Sequence, residues 1–433
     1  MHKIVRRGVF MLFSLLLPIV IGVVGMILLI RLRFFFVLHP KRTFYGALSS
    51  IKNRDTRRSF FLALAGTLGV GNIFGVSAGL MIGGAGCLFW LFVSSLFSMV
   101  IKYAETLLVF NSSDGIRGMA SVIKSSFGRL GGALSSIYAA FTVALSLFMG
   151  SAMQTVALVD VADSALNLNP VFPILIVVAL FIPCLVGGAR KIESATEIII
   201  PLTTIIYIMM CIFTIVMNYR NIISTILLIF SSAFSSRGVL GGISAVAIKE
   251  GFCRGILSNE AGVGTSALAH VRSRGRSPHV GGVFGIIEVF FDTTLLCMLT
   301  GFAILVSGVD ISQHKTPMSL VNSAFSSSIG SFSGYVLLFC IFCFAYSTII
   351  CWYFYGLECS RSYFTKIKTI YSIFFLIFIF LSIFLSSTLL LFLTDSILFM
   401  MAILTLSAIM KNINTVIIGC REGIKGENSK YLK

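Results

Sequence analysis

Long apolar runs alternate with short polar, often basic, connections along this chain, a rhythm that predicts a bundle of bilayer-spanning helices. A spanning helix needs about 20 predominantly apolar residues. The first run to meet that length is 8–30, 23 residues without a charge. Ten more follow, at 60–82, 85–110, 132–158, 171–188, 198–218, 238–257, 281–307, 334–356, 370–387 and 389–410. The apolar piece 222–235 is too short and serine-rich to span and is expected to lie flat at one interface. The expected fold class is an all-α polytopic membrane protein with eleven spanning helices.

Composition supports the bilayer as solvent. Of 433 residues, 57% are hydrophobic and 11% charged, with a mean hydropathy of +1.00. Soluble domains carry roughly 25% charged residues, so a water-facing surface cannot be covered from this supply. The net charge of +17 would suit a nucleic-acid partner in a soluble protein. Here the cations sit in short runs between apolar segments, so no nucleic acid is expected. With the N-terminus outside, 24 Lys and Arg fall inside and 6 outside, eight of them in 31–58 alone. That asymmetry follows the positive-inside rule and puts the C-terminus in the cytoplasm.

Three further readings bound the organisation. The run 8–30 is long and lacks a small-residue cleavage site, so it reads as a retained helix rather than a signal. Cys340-x-x-Cys343 lies within a predicted helix with no second pair, so packing explains it better than redox or metal chemistry. Residues 1–58 form an extra helix and basic loop, 59–218 and 219–410 two halves of one core, and 411–433 a short, flexible tail.

Function is sought where helical regularity or apolarity fails. The second span contains Ala65-Gly66-Thr67-Leu68-Gly69-Val70-Gly71-Asn72 near its middle. Glycine costs about 1 kcal/mol relative to alanine in a helix. Five spans later comes Glu250-Gly251-Phe252-Cys253-Arg254-Gly255, then Ser258-Asn259-Glu260-Ala261-Gly262-Val263-Gly264. Interrupted segments at matching places in two five-helix halves point to an inverted-repeat transporter site. Unwound backbone at membrane depth persists only when buried or lining a cavity. Its free N–H groups suit a carboxylate, and its free carbonyls suit an ammonium or Na⁺. Gly71, Gly75, Gly79 and Gly83 also form a small-residue packing stripe, whereas Gly66, Gly69 and Asn72 lie off it.

Ionisable groups at membrane depth are the second signal. Glu288 and Asp292 share a face at i, i+4, and Lys249, Glu250, Arg254 and Glu260 cluster near the seventh span. Ion pairs between helices and an ion pathway explain them equally. Lys102 with Glu105 reads as an interface pair. Polar side chains on apolar helices are the third signal. Ser151 and Gln154 share one face, as do Thr348, Trp352 and Tyr355, with Ser347 beside them. A mid-membrane Gln serves a neighbouring helix or a substrate, and Ser and Thr hydroxyls bond their own helix or complete a Na⁺ shell.

These stretches resemble the sodium:alanine (alanine/glycine:cation) symporter family. The likeness is carried by Gly66-Thr67-Leu68-Gly69-Val70-Gly71-Asn72-Ile73-Phe74-Gly75-Val76, Gly83-Gly84-Ala85-Gly86-Cys87-Leu88-Phe89-Trp90 and Lys102-Tyr103-Ala104-Glu105. Arg254 to Gly264, Glu288 to Thr293 and Phe344 to Thr348 continue it in order. The chain departs from the family pattern at Val70, Leu91, Arg117 to Ser121, Thr155 and Leu404-Thr405.

The resemblance implies ten core helices in two inverted repeats of five, after one N-terminal helix, in a bacterial plasma membrane. It implies uptake of a small neutral amino acid, alanine or glycine or D-alanine, coupled to Na⁺, with no other cofactor. Substrate contacts would fall to Thr67, Gly69, Gly71, Asn72, Gln154 and Trp352. The cation would take carbonyls of Ala65 and Leu68 and hydroxyls of Ser347 and Thr348. The rival within this architecture is coupling to protons through Glu288, Asp292 or Glu260. A membrane-embedded enzyme is disfavoured, because neither a serine–histidine pairing nor an H-E-x-x-H is present. A channel or sensor would show no accumulation.

Overall fold

The computed structural model describes residues 2–112, 118–166, 168–234, 243–273, 277–361 and 367–431. Arg117, Arg237, Arg274, Arg276, Lys366 and the start of the predicted span 238–257 lie outside the described residues, as do the side chains of Lys3, Arg6 and Arg7. Every regular element among the described residues is helical. Seven stretches there are long and apolar enough to cross a bilayer.

The chain opens with α1 (His2–Arg31) and two short helices in the basic loop, α2 (Phe35–Leu38) and α3 (Pro40–Ser50). The predicted span 60–82 is two half-helices, α4 (Arg54–Thr67) and α5 (Gly71–Gly83). Asn53 starts the first of them by accepting hydrogen bonds from the N–H groups of Asp55 and Thr56. Next come α6 (Gly86–Asn111), α7 (Met119–Ser126), α8 (Gly131–Leu145) and α9 (Gln154–Leu166). A π-helical turn, Ser146–Met153, joins the last two. Such bulges recur at functional sites, and nothing in the residue pattern announced this one.

The predicted spans 171–188 and 198–218 are fused in α10 (Val171–Met217), which turns a corner at Gly188. Gly188 has φ 63°, a left-handed conformation that glycine adopts without a Cβ clash. The expected connection 189–197 is therefore helical. Val186 is 81% exposed on this helix and Ile223 73% on the following α11 (Ile222–Ala233), so these apolar surfaces face lipid.

The second half holds α12 (Ile243–Asn259), α13 (Ala267–His270), α14 (Pro278–Val289) and α15 (Met298–Val306), the last two joined by the π-helical Phe290–Cys297. It continues through α16 (Pro317–Ile329), α17 (Phe332–Arg361), α18 (Lys368–Leu381) and α19 (Ser387–Lys411). The apolar pattern does not predict α16, although Thr316 and Pro317 are its N-cap and first residue. The tail, expected to be flexible, is instead α20 (Ile413–Tyr431), which packs on α6 and α14 with Val416 and Cys420 buried.

Glycine sets the closest helix approach. A Cβ on Gly251 would stand 2.5 Å from the Cys87 carbonyl, and one on Gly255 2.1 Å from the Ser94 hydroxyl. The expected interruption at 250–255 is therefore a packing face of an unbroken α12 against α6. All ten cysteines are free thiols, those of Cys340-x-x-Cys343 included.

Candidate transport site at two helix breaks

The first break is defined by where its backbone groups go. Leu68 N–H still reaches the Leu64 carbonyl at 2.6 Å, and then the helical ladder stops. Gly69 N–H turns to the Thr67 carbonyl at 2.9 Å and to Asn72 Oδ1 at 3.1 Å. Val70 N–H donates to Gln154 Oε1 at 3.3 Å. The carbonyls so released are taken up by α17. Trp352 Nε1 donates to the Gly66 carbonyl at 3.2 Å, and Thr348 Oγ1 to the Leu68 carbonyl at 3.3 Å. The Ala65 carbonyl is left without a hydrogen-bond partner among the described residues.

The predicted residues thus separate by role. Gln154, Trp352 and Thr348 converge on the break, and Ala65 and Leu68 offer it their carbonyls. Thr67 Oγ1 bonds back to the Leu64 carbonyl at 3.4 Å, and Ser347 Oγ to the Phe344 carbonyl at 2.9 Å. Gly69 is closely packed, since a Cβ there would meet Thr348 Oγ1 at 2.9 Å. Gly71 is the contrary case, with nothing within 4 Å of its Cβ direction. It borders a small, partly open cavity lined also by Val70, Phe74, Gln154, Asp160 and Leu390. Gly71 is the first residue of α5, and its N–H alone is left without a partner there among the described residues, because Asn72 and Ile73 N–H turn back to the Gly69 and Val70 carbonyls at 3.3 and 3.1 Å. In the glycine stripe, Gly79 and Gly83 pack against Cys87, Arg254 and Glu250, as a packing role requires.

Ser151 Oγ, buried on the π-helical turn, makes no hydrogen bond among the described residues. Tyr355 lies against Gly66 and edge-on to Trp352, with ring centroids 5.5 Å apart.

The second break follows α12. Glu260, Gly262 and Gly264 take φ values of 55°, 87° and 80°. Left-handed backbone at a non-glycine residue such as Glu260 is strained and is held by its surroundings. Asn259 caps the turn through Ala261 N–H at 3.0 Å, Glu105 Oε1 accepts from Gly262 N–H at 2.6 Å, and Tyr138 OH donates to the Val263 carbonyl at 2.8 Å. The Lys102–Glu105 interface pair does not form. Lys102 is buried against Glu288 at 3.2 Å, and Glu105 holds the break.

Asn72 joins the two breaks. Its Nδ2 donates to Ser258 Oγ at 3.1 Å and, in a short contact, to the Asp292 carboxylate. Asp292 in turn accepts from Ser258 and Thr293, each at 2.7 Å. Glu288 and Asp292, expected to act from one face, serve different networks. The cluster expected near the seventh span divides as well: Glu250 pairs with Arg254 at 2.9 Å, while Glu260 sits apart with Thr265.

Two interrupted helices, tied together beside a cavity in a helical membrane bundle, define the architecture of a membrane transporter. The fold resembles that of MhsT in complex with L-phenylalanine, with a TM-score of 0.55 at 15% identity over 82% of this chain and 87% of that one. The chain belongs to the sodium:alanine symporter family, whose model matches residues 1–422. It is 30% identical to an uncharacterized transporter of Haemophilus influenzae over 69% of this chain and 67% of the relative. It is 28% identical to the sodium/alanine symporter AgcS of Methanococcus maripaludis over 76% and 73% respectively.

Proposed function

We propose that the chain imports a small neutral amino acid such as alanine, glycine or D-alanine together with Na⁺, by alternating access. The reading includes ten core helices in two inverted repeats after one N-terminal helix, with the N-terminus outside and the C-terminus cytoplasmic. The carrying observation is the division of labour at the first break. The Ala65 carbonyl is unpartnered, the Leu68 carbonyl lies 3.3 Å from Thr348 Oγ1, and Gly71 faces a cavity. Oxygens at that separation can share an edge of the oxygen shell of a hard cation, whose ligands lie at about 2.4 Å. The α5 N-terminus suits the substrate carboxylate. Carbonyls of the broken backbone, with Gln154, would take the ammonium, and Trp352 would close the inner wall. One charge moving through ~100 mV supplies about 2.3 kcal/mol, and a tenfold Na⁺ gradient about 1.4 kcal/mol more. Together they support accumulation of a few hundredfold.

Uptake of labelled alanine and glycine into proteoliposomes with imposed ion gradients tests the reading. Na⁺ inside-directed gradients are expected to drive accumulation. Uptake driven equally well by a pH gradient with Na⁺ absent would refute sodium coupling.

The orientation gives the basic end of the bundle a gating role. Glu197 on α10 binds Arg57 at 2.7 Å and Arg58 at 2.8 Å, and Glu193 on the same helix binds Arg272, which follows α13. Both half-helices are thereby tied to α10 at the cytoplasmic end, while the cavity lies toward Asp160 and Leu390. Partly exposed pairs contribute about 1 kcal/mol or less, a population shift of up to roughly fivefold each. Glu193→Gln with Glu197→Gln is expected to speed labelling of Ser273→Cys from the cytoplasmic side by a thiol reagent. Unchanged labelling would remove these pairs from the gate.

A further inference from the structure

Behind the second break lies a set of ionisable side chains that the sodium and substrate sites leave unused. Lys102 and Glu105 reach it from α6, Glu260 from the break, His270 from α13 and Glu288 from α14, all with 0% exposure. Asp292, Tyr138 and two α17 groups, Cys351 and Tyr355, face the same cluster. Glu288 is fully matched, with Lys102 Nζ 3.2 Å from one oxygen and His270 Nε2 2.7 Å from the other. Lys102 spends a further hydrogen bond on Ser266 Oγ at 2.6 Å.

Glu105 and Glu260 are not matched. Each has one oxygen engaged, by Gly262 N–H at 2.6 Å and by Thr265 Oγ1 at 2.9 Å. The other oxygens, Glu105 Oε2 and Glu260 Oε1, are buried without a hydrogen bond, although the Gly264 N–H also faces the Glu105 carboxylate. Apart from Asp292, which Asn72, Ser258 and Thr293 hold, three carboxylates therefore face one ammonium and one imidazole, and the compensating pair is already committed to Glu288. An uncompensated buried carboxylate is so costly that the group takes up a proton instead. Among the described residues no three acidic, His or Cys side chains converge as metal ligands would.

We propose that the second break is a proton-binding centre, with Glu105 and Glu260 held as neutral carboxylic acids in this conformation. The ligand is the proton itself, bound at the orphaned oxygens and released to water when the break opens. Geometry supplies the link to motion. Glu105 holds Gly262 N–H from a different helix, Glu260 is itself a left-handed residue of the turn, and Lys102 is tied to Ser266 immediately before α13. Moving α13 would pull apart these contacts and hydrate both acids. The proposal goes beyond the amino-acid and Na⁺ sites and holds whichever solute the first break carries.

Infrared spectroscopy of the purified wild-type protein in lipid tests it directly. Buried acids are expected to show carboxylic C=O stretches at neutral pH that shift in D₂O. One component should vanish in Glu105→Gln and another in Glu260→Gln. Uptake by the Gln variants is expected to lose the wild-type dependence on internal pH, whose limit is about tenfold per pH unit for each proton. Absence of any acid stretch at neutral pH in the wild type would overturn the proposal without a variant needing to fold. A stretch left intact in both variants belongs to another residue, such as Asp292, and overturns it equally.

Discussion

Asn72→Ala is expected to lower Na⁺-stimulated amino-acid uptake about a hundredfold, in a protein that still reaches the membrane. The side chain holds Gly69 N–H on its oxygen at 3.1 Å and gives its amide protons to Ser258, at 3.1 Å, and to Asp292. A hydrogen bond to a charged group contributes about 1.5–3 kcal/mol, and a partner left buried without it loses more than the bond. Truncation releases the Gly69 backbone and strips a donor from a carboxylate with 0% exposure, so both breaks lose their shared brace. A double-mutant cycle separates this from a general packing defect. Asn72→Asp sets two carboxylates against each other and is expected to be worse than alanine. Adding Asp292→Asn restores an amide–carboxylate pair in reversed order and is expected to recover part of the uptake. Wild-type kinetics in Asn72→Ala would remove this residue from the coupling of the two breaks.

The same residue shows what was legible beforehand. Glycine clustered with asparagine at 65–72 located the first break, because each glycine is a helix penalty, although Gly66 and Gly69 also admit Tyr355 and Thr348 to the backbone. The second break was located less well. Gly251 and Gly255 look like interruptions in the sequence, yet they allow α12 to touch α6, and the chain leaves the helix only at Glu260. A glycine that relaxes backbone and one that admits a neighbour are identical in a sequence, and only the opposing surface tells them apart. Polar candidates followed the same pattern. Spacing put Thr348, Trp352 and Tyr355 on one face of α17, and all three do face the first break. Spacing also put Glu105 beside Lys102, where the tertiary structure instead gives each a partner more than 150 positions away in the chain. Such pairings depend on helix order in the bundle, which local periodicity does not encode.

Thr348→Val is expected to raise the Na⁺ concentration giving half-maximal uptake by roughly 10- to 100-fold, the equivalent of losing one hard oxygen donor worth about 1.5–3 kcal/mol. Valine keeps the β-branched shape, so packing of the fully buried α17 face against Gly69 changes little while the hydroxyl 3.3 Å from the Leu68 carbonyl disappears. Thr348→Ser retains the oxygen and is expected to stay near the wild-type Na⁺ dependence. Ser347→Ala makes the sharper comparison. Its hydroxyl is turned to the Phe344 carbonyl at 2.9 Å, so it must break a bond within its own helix before it can serve a cation. Thr348 must release only a carbonyl that would itself become a ligand. The expected order of effect on Na⁺ affinity is therefore Thr348→Val above Ser347→Ala above Thr348→Ser, read from Na⁺ titrations of initial uptake rate. A Na⁺ dependence identical in all three variants would place the coupling ion away from the Ala65 and Leu68 carbonyls.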